Sequence, residues 1–271
     1  MVEDTSSENL RKKLNRLREE FREAEDQEQR RETVSKIVDI GGSKAVDLLL
    51  NELVYYEEYT DRHGYCSGDE YWFSEAIIEG LGKIGNEKAL DVLNEAFEYE
   101  CDYVRQFHIE HNPNSDLGPA YKDGIRGFLC YDAAAAIANI GGNKAKKMLL
   151  SHVMDHDPWW SSFVAVKYLE SLKWKPENDE EKIACIIAKH NWNECKEMGD
   201  IAMRKAIGPI VEATYYFVED VTFSSEIAEA INSFGKEKVI SIIEEEGFGK
   251  TEFGSTEETI GCLEEMIKNY E

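Results

Sequence analysis

The sequence predicts an all-α protein folded as a solenoid of stacked helix pairs. A short pattern, Ile-Gly-x-x-Lys-Ala, occurs at 40–45, 84–89 and 140–145, and a looser form of it occurs at 234–239. The copies are 44, 56 and 94 residues apart, and the last distance is about two units of 47. Repeats of about this period are typical of helical arrays, in which each unit buries its apolar face against its neighbours.

Apolar residues keep a fixed register with each copy of the pattern. The helix before the pattern's Ile has its inner face at Ile37, Val34 and Thr33, at Leu81, Ile78 and Ile77, and at Ile137, Ala134 and Ala133. The helix after it has its inner face at Ala45, Leu48, Leu49 and Leu53, at Ala89, Val92, Leu93 and Phe97, and at Ala145, Met148, Leu149 and Val153. Each copy therefore predicts two packed helices joined at a Gly, with Ala89 and its equivalents buried where they meet.

The first element is an N-terminal helix. Thr5-Ser6-Ser7-Glu8 is a capping box, and an apolar stripe follows it at Leu10, Leu14, Leu17 and Phe21. The stripe is narrow and flanked by Arg and Glu, so the helix either covers the first repeat or pairs with another chain. We favour the cover, because terminal repeats of a solenoid need a polar outer face. Residues 1–30 are therefore assigned to a charged capping helix.

The remaining residues, 31–271, are assigned to the repeat array. Further helix starts are indicated by the capping box Ser67-Gly68-Asp69-Glu70, by Asp157-Pro158, and by Asn178 with Glu181. Gly80-Leu81-Gly82 lies inside a predicted helix and indicates close packing rather than a phosphate loop. The predicted units lie near 31–60, 69–111, 125–155, 158–190, 199–217 and 224–246, followed by a helix at 255–270.

The repeated run Ala/Ile-x-x-Ile/Leu-x-x-Ile-Gly-x-x-Lys-Ala-x-x-x-Leu resembles the HEAT-like repeat of the bilin-lyase type. The stretch from Leu172 to Glu181, followed by Ala188-Lys189 and Trp192, is similar to a connector between such repeats in prokaryotic members. The resemblance covers about residues 30 to 245. It implies a right-handed α-solenoid of about five to six HEAT-like helix pairs. It implies no single function, because this helix pair serves scaffolds, lyases, hydroxylases and nucleic-acid enzymes.

Charge and composition exclude several classes of partner. The chain has 55 acidic and 31 basic residues, a net charge of −24. Such a surface repels phosphate and gains no counterion-release term, so we expect no nucleic-acid partner and no HEAT-like DNA glycosylase activity. No apolar run approaches the ~20 residues that cross a bilayer, and Met1-Val2-Glu3-Asp4 lacks the features of a signal peptide. We therefore expect a cytoplasmic protein with no membrane partner.

The candidate partner-binding surface is the solvent-facing side of the second helices, which line the inner surface of a HEAT array. In the first two units it carries Asp47, Asn51, Asp91, Glu95 and Glu98. These acids predict a protein partner with a basic segment. The third unit is basic instead, with lysines at 144, 146 and 147. Ordinary solvated helix faces also explain this pattern.

Two segments, 54–68 and 98–128, are longer than the repeat requires. Insertions on one face of a solenoid often mark the binding face. Both segments are rich in Tyr, which supplies a large contact area with little entropy to lose. Tyr55, Tyr59 and Tyr103 therefore join the candidate surface. Packing of these tyrosines onto neighbouring helices explains them equally well.

Histidine and cysteine residues form no complete metal site in the sequence. Two groups have helical spacing: Cys101, His108 and His111 in the second insertion, and His152 with His156. His63 and Cys66 lie in the first insertion. Neither group comes with the further ligands that would complete a set. The six cysteines form no CxxC pair, which indicates reduced thiols. No His is followed by Glu, so the His-Glu dipeptides of HEAT-type deoxyhypusine hydroxylase, a di-iron enzyme, are absent.

These observations favour a non-enzymatic scaffold or adaptor for protein-protein interaction. We assign it an acidic concave face and aromatic insertions, and no cofactor, metal or catalytic residue. The alternative is an accessory enzyme of the bilin-lyase type, which would act on a chromophore or a covalent modification of a partner protein. An adaptor needs exposed aromatic residues and complementary charge, whereas a lyase needs a pocket with a placed acid or thiol.

Overall fold

The computed structural model describes residues 5–63, 68–98, 129–155, 159–217, 221–247 and 255–270, and every regular element in these ranges is helical. Their contacts divide them into two compact units. Unit 1 contains the described residues up to 98 and from 129 to 148, and unit 2 contains those from 149 onwards. None of the described helices is both long enough and apolar enough to cross a membrane.

The helices of unit 1 follow the predicted order. They are α1 (Thr5–Glu23), α2 (Gln27–Ile40), α3 (Gly42–His63), α4 (Gly68–Ile84), α5 (residues 90–98, after a 3-10 turn at Glu87–Ala89), α6 (Leu129–Ile140) and the first half of α7 (Gly142–Asp155). The sequence placed the array's start at residue 31, but α2 begins four residues earlier. Asp26 caps it there, because its carboxylate accepts a hydrogen bond from the Gln29 N–H at 2.8 Å.

The turn predicted from the repeated pattern is confirmed in all three copies of unit 1. Gly41, Gly85 and Gly141 have φ of 63°, 70° and 69°, a conformation that costs other residues more than Gly. The N–H of each Gly donates to the carbonyl four residues earlier, on Ile37, Leu81 and Ile137 respectively. The first helix of each pair therefore ends at the same point of the pattern.

The predicted apolar register is also confirmed by burial. Ile37, Leu81 and Ile137 are at most 1% exposed, and the alanines at 45, 89 and 145 are fully buried. Leu49, Leu93 and Leu149 are likewise fully buried. Val92 and Met148, each eight residues after the Ile of its copy, are only partly buried. In these two copies the buried face of the second helix is therefore less complete at this position.

Close approach of the helices explains Gly80 and Gly82. α4 packs against α2, α3 and α6. A Cβ atom on Gly80 would lie 2.5 Å from Val34 Cγ1 of α2, and one on Gly82 would lie 2.7 Å from Ala136 Cα of α6. The two glycines thus let α4 touch a neighbour on each side, as the sequence predicted.

Helix α1 lies against α2 and α3 of its own chain. Leu14, Leu17 and Phe21 are buried in this contact, as expected of a helix that covers the first pair. Arg22 adds a two-point ion pair with Glu52 of α3, with Nε to Oε2 at 2.7 Å and Nη2 to Oε1 at 2.9 Å. Glu52 is only 2% exposed, so this pair holds the otherwise costly buried carboxylate.

Unit 2 continues with the end of α7 and further helices. These are α8 (Trp159–Ser171), α9 (Asp179–Ala188), α10 (Trp192–Glu197), α11 (Asp200–Phe217), α12 (Val221–Phe234), α13 (Lys236–Glu246) and α14 (Thr256–Tyr270). The looser fourth copy of the pattern forms the same junction, because Gly235, with φ of 93°, separates α12 from α13 and donates to Ile231 O. Val239 and Ile243 are buried at the positions equivalent to Ala89 and Leu93.

One predicted helix start is confirmed and two cannot be compared. Asn178 caps α9 by accepting from the Glu181 N–H at 2.9 Å, and the Glu181 carboxylate accepts a hydrogen bond from the Glu177 N–H. The start signals at Ser67 and at Asp157-Pro158 lie outside the described residues. A cap at Ser255, which exchanges hydrogen bonds with Glu258 before α14, was not predicted.

Candidate partner-binding surface

Both aspartates of the candidate surface form ion pairs with lysines of the next copy of the pattern. Asp47 of α3 contacts Lys88 Nζ, from the turn before α5. Asp91 of α5 contacts Lys144 Nζ of α7, at 2.6 Å from Oδ1 and 2.8 Å from Oδ2. Both lysines are the Lys of the Ile-Gly-x-x-Lys-Ala pattern, so the motif Lys of one copy neutralises the Asp of the copy before it.

A motif Lys also pairs with an aspartate in unit 2, although this aspartate begins its helix and does not have the position of Asp47 and Asp91. Lys238, the Lys of the fourth copy, lies 2.7 Å from Asp200 at the start of α11. This hydrogen bond lowers the pKa of the Asp200 carboxyl, and the charge of Lys238 adds to the effect. In both units the motif Lys therefore pairs with an aspartate of an earlier helix, a contact that the repeated pattern alone did not predict.

The remaining described members of the candidate surface are exposed. Asn51 lies one turn after Asp47 on α3, and Glu95 and Glu98 lie one and two turns after Asp91 on α5. Glu98 accepts a hydrogen bond from Asn94 Nδ2 at 2.7 Å. The acidic character of this face therefore rests on Glu95 and Glu98 more than on the paired aspartates, and the partner-binding role of all five residues stays a prediction.

The tyrosines predicted for this surface cannot be compared with the structure. The backbone of Tyr55 and Tyr59 belongs to α3, but the structure does not describe their side chains. Tyr103 lies outside the described residues. The predicted charge gradient is changed at one point. Lys144, the first of the three basic residues of the third copy, is neutralised by Asp91, while Lys147 is exposed on α7.

An acidic cluster that the sequence analysis did not identify lies in unit 1. It is formed by Asp132 of α6 with Glu75 and Glu79 of α4, beside Arg31 of α2, which forms an ion pair with Glu75 at 2.7 Å. The pKa of Asp132 is raised to about 7, chiefly by burial and also by the charges of the two glutamates, while Arg31 opposes the rise. The i,i+4 spacing of the two glutamates indicated that they lie on one face of α4. It did not indicate that Asp132 of α6 lies opposite that face.

Burial shifts the pKa of one histidine and three cysteines whose side chains the structure describes. Burial lowers the pKa of His152 to about 4, against the opposing charge of Asp155. Burial raises the pKa of Cys195 to about 12 and also raises that of Cys185 and Cys262. Among the described residues no group of three potential ligands is placed to hold a metal ion. Cys101, His108, His111 and His156 lie outside them.

Comparison with protein-family models and with curated proteins found no match for this chain.

Proposed function

We propose that this protein is a HEAT-like right-handed α-solenoid that acts in the cytoplasm as a non-enzymatic scaffold. The proposal is supported by the shared Gly turn, by the common burial register of the repeated helix pairs, and by the repetition of the Lys–Asp contact between successive copies. Repeat proteins of this kind present extended surfaces along their second helices.

The partner that we propose is a protein with a basic segment. The observation that carries this proposal is the acidic face of α5, where Glu95 and Glu98 are exposed, as is Asn51 of α3. A chain with a net charge of −24 attracts cationic ligands over a long range. Asp47 and Asp91 can also contact the partner, because a basic ligand can replace Lys88 and Lys144 in their ion pairs.

The bilin-lyase alternative has weaker support. A thiol that takes part in covalent chemistry needs a lowered pKa. The three cysteines whose side chains are described have raised pKa values, and two of them, Cys185 and Cys195, are buried. No described thiol therefore favours that chemistry.

The test measures association of a labelled peptide of lysine and arginine residues separated by serine. Glu95→Gln with Glu98→Gln should slow association about threefold or more at low salt, because attraction acts mainly on the association rate. Glu226→Gln with Glu229→Gln is the matched control, since these exposed glutamates have the same spacing on α12. Salt that shortens the screening length below about 8 Å should remove the difference.

A second pair of variants tests the role of the aspartates. Lys88→Gln with Lys144→Gln removes the partners of Asp47 and Asp91 and should speed association of the same peptide about twofold or more, because two exposed carboxylates are released. The control is Lys182→Gln with Lys268→Gln, exposed lysines of α9 and α14. Equal rates for both glutamate variants and wild type would reject this surface as the binding site.

A further inference from the structure

A cleft of about 490 Å³ lies between α1 and α2. Four cations line it: Lys12, Lys13 and Arg16 from α1, and Lys36 from α2. Leu17, which is 5% exposed, contributes apolar surface to the cleft, and two acids, Glu20 and Asp39, complete the lining. The arrangement is that of a site for a ligand with both anionic and apolar groups.

The charge of the chain is distributed unevenly around this cleft. Residues 5–40, which contain α1 and α2, hold nine basic and nine acidic residues. The net charge of −24 therefore belongs wholly to the rest of the chain. An anionic ligand is repelled by that remainder, whereas α1 and α2 are neutral as a whole and concentrate cations in their cleft.

These cations are available to a ligand. Lys12, Arg16 and Lys36 form ion pairs with the glutamates at 8, 20 and 32, each within one helix at the i,i+4 spacing. Exposed pairs of this kind are weak and exchange readily for a stronger anion. Lys13 forms no ion pair with any residue that the structure describes.

We propose that this cleft binds an acidic peptide segment of a partner protein. Two anionic side chains of the segment contact Lys13 and Lys36, and an apolar side chain between them lies along the aliphatic stems of the cationic side chains. Arg16 adds a planar guanidinium that matches a carboxylate or a phosphate in two-point geometry. Carboxylates and phosphorylated side chains share this chemistry. The site is independent of the basic-partner surface, because it has the opposite charge and uses different helices.

The experiment measures fluorescence anisotropy of a labelled peptide in which a leucine is flanked by glutamates, added to the full chain at low salt. We expect saturable binding that weakens about tenfold or more in the double variant Lys13→Gln and Lys36→Gln. Lys182→Gln with Lys268→Gln carries the same charge change away from the cleft and should bind like wild type. A peptide with glutamines in place of the glutamates should not bind. All variants should keep the wild-type melting temperature, since the changed side chains are exposed.

Further arms identify the anion. A peptide with phosphoserines in place of the glutamates is compared with the first one, and tighter binding of either supports the proposal and names the preferred group. Inorganic tripolyphosphate and a single-stranded oligonucleotide are tested alone. If either binds and neither peptide does, the peptide proposal is overturned. Binding of the glutamate peptide that is equal in wild type and in the Lys13→Gln, Lys36→Gln variant overturns it as well.

Discussion

Units 1 and 2 use the same turn with different packing around it. In unit 1 the Gly turn occurs three times, and α4 reaches its neighbours α2 and α6 through Gly80 and Gly82. In the described residues of unit 2 the repeated turn occurs once. His190 there stacks between the rings of Phe163 and Trp192, with centroid distances of 5.3 Å on both sides.

This difference shows that the repeated pattern specifies a turn but not a core. Where Gly and Ala form the contact, one backbone lies directly against the next, and added volume cannot be absorbed by a side-chain movement. Where stacked rings form it, as around His190, Phe163 is 37% exposed and the side chains have room to adjust. The contact at Gly82 in unit 1 should therefore be more sensitive to added atoms than this stack in unit 2.

The largest effect is expected at the fully buried Ala89, in the turn between α4 and α5. Ala89→Asp places an unpaired charge there and should lower the free energy of unfolding of unit 1 by about 3 kcal/mol or more. Val239→Asp, the equivalent change in unit 2, should have a similar effect on that unit. Hydrogen exchange followed by mass spectrometry measures each unit separately.

The control for this change is Asn139→Asp, which introduces the same side chain at an exposed position of α6. It should cost less than about 1 kcal/mol, mainly from the negative charge near the C-terminal end of the helix. An Ala89→Asp protein with unchanged exchange in unit 1 would show that the repeat register is wrong.

An intermediate effect is expected at the close contact of α4 with α6, and an exposed glycine of unit 2 is the control for helix propensity. Gly82→Ala adds a Cβ that would lie 2.7 Å from the Ala136 backbone and should destabilise unit 1 by about 2 kcal/mol. Gly261→Ala in α14 of unit 2 adds a Cβ with no atom within 4 Å and should stabilise that unit by about 0.5–1 kcal/mol. Urea unfolding with exchange detection gives both values. A Gly82→Ala protein as stable as wild type would contradict the close contact of α4 with α6.

The smallest effect concerns the pH dependence of unit 1. The pKa of Asp132 is raised to about 7 in the folded protein, so the folded state binds its proton more tightly than the unfolded chain. Stability should therefore fall as pH rises from about 4 to about 7 and then level off. Asp132→Asn removes this loss of stability and should stabilise unit 1 above pH 7 by roughly 1 kcal/mol. This value is smaller than the full pKa shift implies, because the side chain is partly exposed and solvent screens its charge.

The matched control for this pH dependence is Asp39→Asn, at an exposed carboxylate of α2 in the same unit. The measurement is the melting temperature of unit 1 between about pH 3.5 and pH 8, for which we expect the Asp132→Asn curve and the wild-type curve to converge at the acid end. Parallel curves for wild type and Asp132→Asn would reject the raised pKa.

The fold was predicted most completely where the residues that determine a feature lie close together in the sequence. The turn at Gly41, the cap at Asn178 and the burial of Phe21 all depend on residues within a turn or two of each other. The candidate site was predicted less completely. The exposed positions of Glu95 and Glu98 follow from helical spacing. The neutralisation of Asp47 and Asp91 does not, because it depends on lysines outside their own helices, and helical spacing does not say which other element lies close.

The amino-acid sequence by itself determined the helices, the Gly turns and the faces that each repeated helix buries, because local hydrogen bonds and the 3.6-residue period fix these. Only the tertiary structure decided which charges meet. Lys88 and Asp47 are 41 residues apart, and Lys144 and Asp91 are 53 apart. Such partners meet only when successive helix pairs pack in one register, and that register depends on close contacts such as the one between Gly82 and Ala136.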